Sequence, residues 1–177
     1  DPSDPRTDIG PIIDAEAKAN LDKHMERMRK EARVLKQLDV SNLSGNFFGP
    51  AVIELNSLDQ IEREVFGPIL HVLRYDPADV ASIGAKLAAK RYGLTLGVHS
   101  RLDSFAAEVI DAVPAGNVYI NRTIVGAVVG VQPFGGAGLS GTGPKAGGPN
   151  YLPRFAEERA ISNNIAAQGG DPHLLNL

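Results

Sequence analysis

The feature that most limits how this chain can fold is the alternation running from residue 69 to residue 121. A strand is predicted over residues 69–75, a helix over 78–91, a strand over 94–99, a helix over 102–112 and a strand over 117–121. Strands that alternate with helices of this length need crossover connections, and crossovers of that kind place successive strands parallel. The segments LTLGV and NVYIN are almost continuous apolar runs, as expected when both faces of a sheet are covered. The expected fold class is therefore α/β, a mostly parallel sheet with helices on both faces. In such sheets ligands bind beyond the carboxyl ends of the strands. The loop that leaves NVYIN is thus the first place to look for function.

That loop, residues 121–148, holds nine of the chain's 19 glycines. Glycine leaves backbone amides uncovered and allows positive φ, so such a loop can lie close against a ligand. The competing reading is an unstructured linker. Val125, Val128, Val129, Val131 and Phe134 count against it, because a linker rarely carries so many apolar side chains.

Upstream, Asp14 can cap a helix running to about Lys36, with Leu21, Met25, Met28, Ala32 and Leu35 forming one apolar stripe. Charged residues occupy the rest of that helix. The stripe is too short for a convincing coiled coil and is expected to dock on a sheet. Residues 42–50 are a turn-rich break, Ala51–Leu55 reads as a strand, and Asp59 starts a short helix ending before Phe66, Gly67 and Pro68. Past Pro149, residues 151–158 are expected to form one or two helical turns, residues 159–166 a strand, and residues 168–177 a polar tail.

The 177 residues suffice for one domain, or most of one, with a real core. A net charge of −3 argues against a dedicated nucleic-acid binder. The basic cluster Lys23, Arg27, Arg29, Lys30 and Arg33 is interleaved with Asp22, Glu26 and Glu31 and reads as a solvated helix face. No apolar run approaches the roughly twenty residues that a membrane-spanning helix needs. Cysteine is absent, which removes disulfides, thiolate metal sites and cysteine nucleophiles from the chain itself. The opening Asp1-Pro2-Ser3, without a methionine, raises the expectation of a piece of a longer protein.

Several other motifs lack the context that their chemistry requires. Gly136, Gly138 and Gly141 satisfy the spacing G-x-G-x-x-G, but Pro133 precedes them and Pro144 follows, whereas a dinucleotide fingerprint leaves a strand directly and opens a helix. No Gly-Lys-Ser/Thr occurs for a phosphate loop. His24, His71, His99 and His173 sit at no metal-ligand spacing and read as structural or surface residues, so no metal is expected. Ser100 and Ser140 lack a nucleophile-elbow context. Glu64 and Phe66, ahead of Gly67-Pro68, read on composition alone as a helix-end carboxylate and a core aromatic.

Four segments together say more. E-x-F-G-P at residues 64–68, YGLT-x-GV-x-S at 92–100, G-N-V-x-x-N at 116–121 and QPFGG-x-G-x-SG at 132–141 resemble the aldehyde dehydrogenase superfamily, in its order and spacing. More narrowly, NRTIVGAVVGVQPFGG and KAGGPNYLPRFAEERAIS are similar to L-glutamate γ-semialdehyde (1-pyrroline-5-carboxylate) dehydrogenases. The ending NNIAAQGGDPHLLNL resembles bifunctional proline utilisation A proteins, in which a flavin-dependent proline dehydrogenase domain precedes such a domain on the same chain.

The resemblance implies that residues 1–158 are the later part of the catalytic domain and that residues 159–177 are a terminal strand or tail serving oligomerisation. The dinucleotide-binding domain, the nucleophilic cysteine and the glutamate that activates water would all lie upstream, so no catalytic residue is expected in this chain and the isolated chain is expected to be inactive. NAD is the implied cofactor. FAD would belong only to the proline dehydrogenase domain. By the same resemblance Glu64 would hydrogen-bond the nicotinamide ribose and Phe66 would pack beside the nicotinamide. Gly126 and Ala127 would hold the far carboxylate of the semialdehyde through backbone N–H groups, and Phe134 would pack on its aliphatic part. Many relatives carry serine where Ala127 stands, so recognition there would rest on the amides.

The expected partners are the upstream domain, the semialdehyde or glutamate, and a second copy of the protein, with no nucleic acid or membrane contact from this chain. A cytoplasmic location follows from the resemblance, with peripheral membrane association only through a proline dehydrogenase domain outside the chain. Two other readings stay open: a non-catalytic interaction or oligomerisation module of the same fold, and a dehydrogenase for another aldehyde.

Overall fold

The computed structural model describes residues 2–128, 130–141, 143–164, 167, 169 and 173. The chain divides into two compact units, one of residues 1–126 with 135–143, the other of residues 127–134 with 144–177.

The first unit begins its regular structure at α1 (Ala15–Glu31), capped by Asp14, whose Oδ1 accepts from the Ala17 amide at 2.7 Å. A carboxylate there satisfies a free amide and complements the helix dipole. The helix stops at Glu31. Ala32 is extended and the chain turns into β1 (Arg33–Gln37), which pairs antiparallel with β2 (Ala51–Leu55). This corrects the expected helix to Lys36. Leu21, Met25 and Met28 are buried as the stripe required, but Leu35 is 43% exposed. Backbone pairing with β2 satisfied residues 33–37 better than one more helical turn, a tertiary effect that local pattern does not contain.

β2 runs parallel to β3 (Ile69–Leu73). The β2 side chains Ala51, Ile53 and Leu55 face α1 and, with Leu21, Met25, Met28 and Phe48, make the buried core; Val65 and Ile69 pack at its edge. The connection between β2 and β3 holds one 3-10 turn, Leu58–Gln60, instead of the expected helix from Asp59. Gln60 Oε1 accepts from the Asn56 and Ser57 amides, and Gln60 Nε2 donates to the Glu31 carbonyl. With Gln60 spent on the end of α1, the chain leaves helical geometry and residues 61–66 run irregularly along α1.

After a 3-10 turn at Pro77–Asp79 come α2 (Val80–Ala89), β4 (Tyr92–Gly93), β5 (Thr95–Val98), α3 (Asp103–Ala112) and β6 (Asn117–Ile120). β5 and β6 pair in parallel across α3, a βαβ unit as expected. The helices α2 and α3 approach closely at Gly84, where a Cβ would strike the Ala112 carbonyl. The short β7 (Ala137–Gly138) pairs antiparallel with β4. The α/β class holds. Beside the parallel pairs β2–β3 and β5–β6 stand the antiparallel pairs β1–β2 and β4–β7, and the strands lie in three separate sheets among the described residues, not one mostly parallel sheet.

In the second unit Phe134 and Ala146 form an antiparallel bridge, with reciprocal N–H···O bonds of 3.1 and 3.0 Å. A 3-10 turn spans Leu152–Phe155, and the Tyr151 and Phe155 rings pack edge to face. Residues 159–164 are exposed and pair with no strand among the described residues, which corrects that part of the strand expected over 159–166; a ladder needs a second strand to accept its hydrogen bonds. Ile165, Ala166 and all but Gly169 and His173 of the tail 168–177 lie outside the described residues, as do Val129 and Thr142.

Candidate functional site

Glu64 and Phe66 stand together on the irregular segment that runs from the 3-10 turn into β3. The segment is held at its start by Arg27, whose Nη2 donates to the Gln60 carbonyl at 2.9 Å, and by Lys90, which donates to the Ile61 carbonyl. At its end Gly67 passes so close to Leu21 that a Cβ would meet the leucine methyls. Between α1 and residues 62–66 lies a groove of about 570 Å³, walled by Asn20, Lys23, His24 and Arg27 on one side and by Glu64 and Phe66 on the other.

The Phe66 ring is 86% exposed, so it is not the core aromatic that composition alone suggested. The Glu64 carboxylate is exposed and has no ion-pair or hydrogen-bond partner among the described residues; only its amide is engaged, donating to Tyr92 Oη at 3.5 Å. An apolar face beside a free acceptor suits a ligand that offers a flat ring next to hydroxyl groups.

The loop leaving β6 is anchored by a device that sequence reasoning missed. Asn121 takes a left-handed conformation, φ 53°, and its side-chain amide clasps Ser100: the Ser100 amide donates to Asn121 Oδ1 at 3.0 Å and Asn121 Nδ2 donates to the Ser100 carbonyl at 2.9 Å. The signal was an asparagine at a strand end, one of the few residues that tolerate this backbone. Ile124 packs over Gly97 of β5 so closely that an added Cβ would strike its methyl group. On the return, the Gly135 amide donates to Asn117 Oδ1 at 3.1 Å.

Gly126 has φ 66° and is exposed, with open space where a side chain would stand. The amides of Gly126 and Ala127 make no hydrogen bond among the described residues. The unit division falls between them, so Ala127 and Phe134 belong to the second unit. There Gln132 closes a turn, its Oε1 accepting from the Val128 amide at 3.1 Å, and Phe134 is half-buried at its bridge with Ala146. Uncovered amides of this kind can accept an anion without intervening side chains.

The structure also joins two histidines that their separation in sequence hid: His24 of α1 and His71 of β3, Nε2 to Nε2 at 2.9 Å. Burial is the main cause that lowers both below the usual imidazole value, aided by Arg27; for His24, His71 also lowers it and Glu31 opposes. No group of three potential metal ligands occurs among the described residues, and no described helix is long and apolar enough to cross a membrane.

Residues 1–161 match the family model described as the aldehyde dehydrogenase family. The chain is 50% identical over 172 residues to the bifunctional protein PutA of Rhizobium meliloti, covering 96% of this chain and 14% of that protein. Among solved structures, a mutant of Bradyrhizobium japonicum proline utilization A superposes with a TM-score of 0.82 at 53% identity, over 91% of this chain and 16% of the other. A 1-pyrroline-5-carboxylate dehydrogenase from Thermus with bound NAD gives a TM-score of 0.71 at 36% identity, over 84% of this chain and 29% of the other. The chain thus spans less than a third of the length of each of these proteins.

Proposed function

The chain belongs to the aldehyde dehydrogenase family, and from that premise we propose that it is the later part of the catalytic domain of an NAD-dependent L-glutamate γ-semialdehyde (1-pyrroline-5-carboxylate) dehydrogenase, of the bifunctional proline-utilisation type. The observation that carries the cofactor half of this reading is the groove at Glu64 and Phe66. An unpaired carboxylate can accept from two ribose hydroxyls, and a phenylalanine ring left in water gains up to about 3 kcal/mol when a flat ring covers it. These residues fit a nicotinamide nucleoside. When bound, NAD would accept the electron pair and proton taken from the aldehyde carbon as the aldehyde and water become a carboxylate. Glu64 would orient the ribose and Phe66 would keep water from the nicotinamide face.

The substrate half rests on Gly126, Ala127 and Phe134. The free amides of Gly126 and Ala127 would hold the carboxylate end of the semialdehyde, and Phe134 would pack on its methylene groups. Amide donors fixed in place recognise an anion without the entropy cost of ordering a long side chain. The nucleophilic cysteine would come from an upstream segment of the same protein, together with the dinucleotide-binding domain. FAD would serve only a proline dehydrogenase domain elsewhere in that protein.

The test is NAD reduction with L-glutamate γ-semialdehyde, run on this chain and on the intact protein. Activity in the intact protein and none in the chain is expected. A folded intact protein that is silent would favour the second reading, a non-catalytic module of the same fold. Turnover of other aldehydes in preference to this one would instead reassign the substrate.

A further inference from the structure

α1 and β3 meet through a polar contact that the proposed reaction does not use. His24 is 9% exposed, His71 is half-buried, their rings stand at 83° with centroids 5.1 Å apart, and their Nε2 atoms are at hydrogen-bond distance. One Nε2 must donate and the other accept. A first extra proton can enter at Nδ1 of the donating ring and leave the bond intact. A second has only the accepting Nε2 to occupy, which turns two N–H groups toward each other on two touching cations.

The charged neighbours sharpen this behaviour. On α1, Arg27 opposes protonation of both rings and Glu31 favours it at His24. Lys23 of α1 and Glu62, Arg63 and Glu64 of the facing segment line the same groove as His24, and β3 itself offers no titratable group besides His71. Arg27 is fixed by the Gln60 carbonyl and by Glu31 at 3.0 Å, with Glu62 at 3.6 Å. The segment that carries Glu64 and Phe66 therefore hangs from α1 at one end, through Arg27, and enters β3 at the other, two residues before His71.

We propose that the His24–His71 hydrogen bond is a proton-operated latch that sets the width of the groove bearing Glu64 and Phe66, closed while at most one ring carries an extra proton and open when both do. His24 and His71 are thereby positioning residues. Their effect on NAD rests on the function proposed above; the opening of the latch does not.

The test compares the intact protein with its His24→Gln/His71→Gln double variant, in which two amides keep one donor and one acceptor but do not titrate. Amide hydrogen exchange over residues 20–31 and 60–73, corrected for its intrinsic pH dependence, is followed without cofactor from about pH 7.5 to about pH 5, and the NAD dissociation constant is measured across the same range. In the unsubstituted protein, exchange in both segments should become several-fold faster in acid and NAD binding several-fold weaker, with both responses flattened in the double variant. An equal acid response in the variant, or unchanged exchange in the unsubstituted protein, overturns the latch. The second criterion needs no variant and survives a variant that misfolds. Acid-dependent exchange with no NAD binding at any pH would support the latch and refute the cofactor reading instead.

Discussion

Glu64 shows what one residue can carry. Its carboxylate is exposed and unpaired among the described residues, so its removal leaves no buried group unsatisfied and should not lower the melting temperature. If it accepts from the nicotinamide ribose, Glu64→Gln in the intact protein should raise the KM for NAD by about tenfold, the worth of one charge-assisted hydrogen bond, while the KM for the semialdehyde stays put. Steady-state kinetics with each substrate varied in turn checks this. His24 and His71 give a prediction of opposite character. Both are held below the ordinary imidazole value, chiefly by burial, so the unfolded chain takes up protons before the folded one does. Their contribution to stability is whole above about pH 6.5 and is lost as the pH falls below it. Melting temperatures from neutral pH downward should show that loss, and His71→Gln should reduce it. Glu64 was legible in the sequence because its motif is local. The histidine pair was not, because 47 residues separate the partners and only the docking of α1 on the sheet brings them together.

Among the elements, α1 and the β5–α3–β6 unit contrast. The stripe Leu21, Met25 and Met28 predicted a face docked on a sheet, and these three side chains are essentially dry. Met28→Ala should cost about 2–5 kcal/mol, the usual price of emptying a core methionine site, as measured by chemical denaturation. The end of α1 was misplaced because helix and strand periods both suit VLKQ, and β2 decided between them. In the βαβ unit, glycines mark close approaches. A side chain at Gly116 would run into the Gly135 carbonyl, and backbone cannot step aside as a side chain can. Gly116→Ala should destabilise by about 1–3 kcal/mol. At Gly97 the obstacle is the Ile124 side chain, two residues before Gly126. Gly97→Ala should therefore displace the loop, raising the semialdehyde KM while leaving that for NAD near its original value.

At the scale of the whole molecule, large apolar side chains lie in water: Phe66 at 86%, Val125 at 83%, Leu152 at 79% and Ile161 at 80%. Surfaces of that kind are normally covered, and the isolated chain should dimerise or aggregate. A clean monomer by light scattering, with a sharp cooperative melt, would refute that. Residues 159–164 carry a strand-like pattern but pair with no strand among the described residues, so removing residues 159–177 from the intact protein should lower its oligomeric mass if the tail pairs with a second subunit.

The sequence by itself determined the family, the α/β class, the strands and helices of the repeating region, and the residues to test, because local periodicity and short motifs survive without knowledge of neighbours. Only the tertiary structure decided where α1 stops, that residues 61–66 are irregular, that Phe66 faces water, and that His24 meets His71. Each of these depends on what a segment packs against: backbone groups take the partner that satisfies them best, and a side chain is buried or exposed according to a surface that can come from anywhere along the chain.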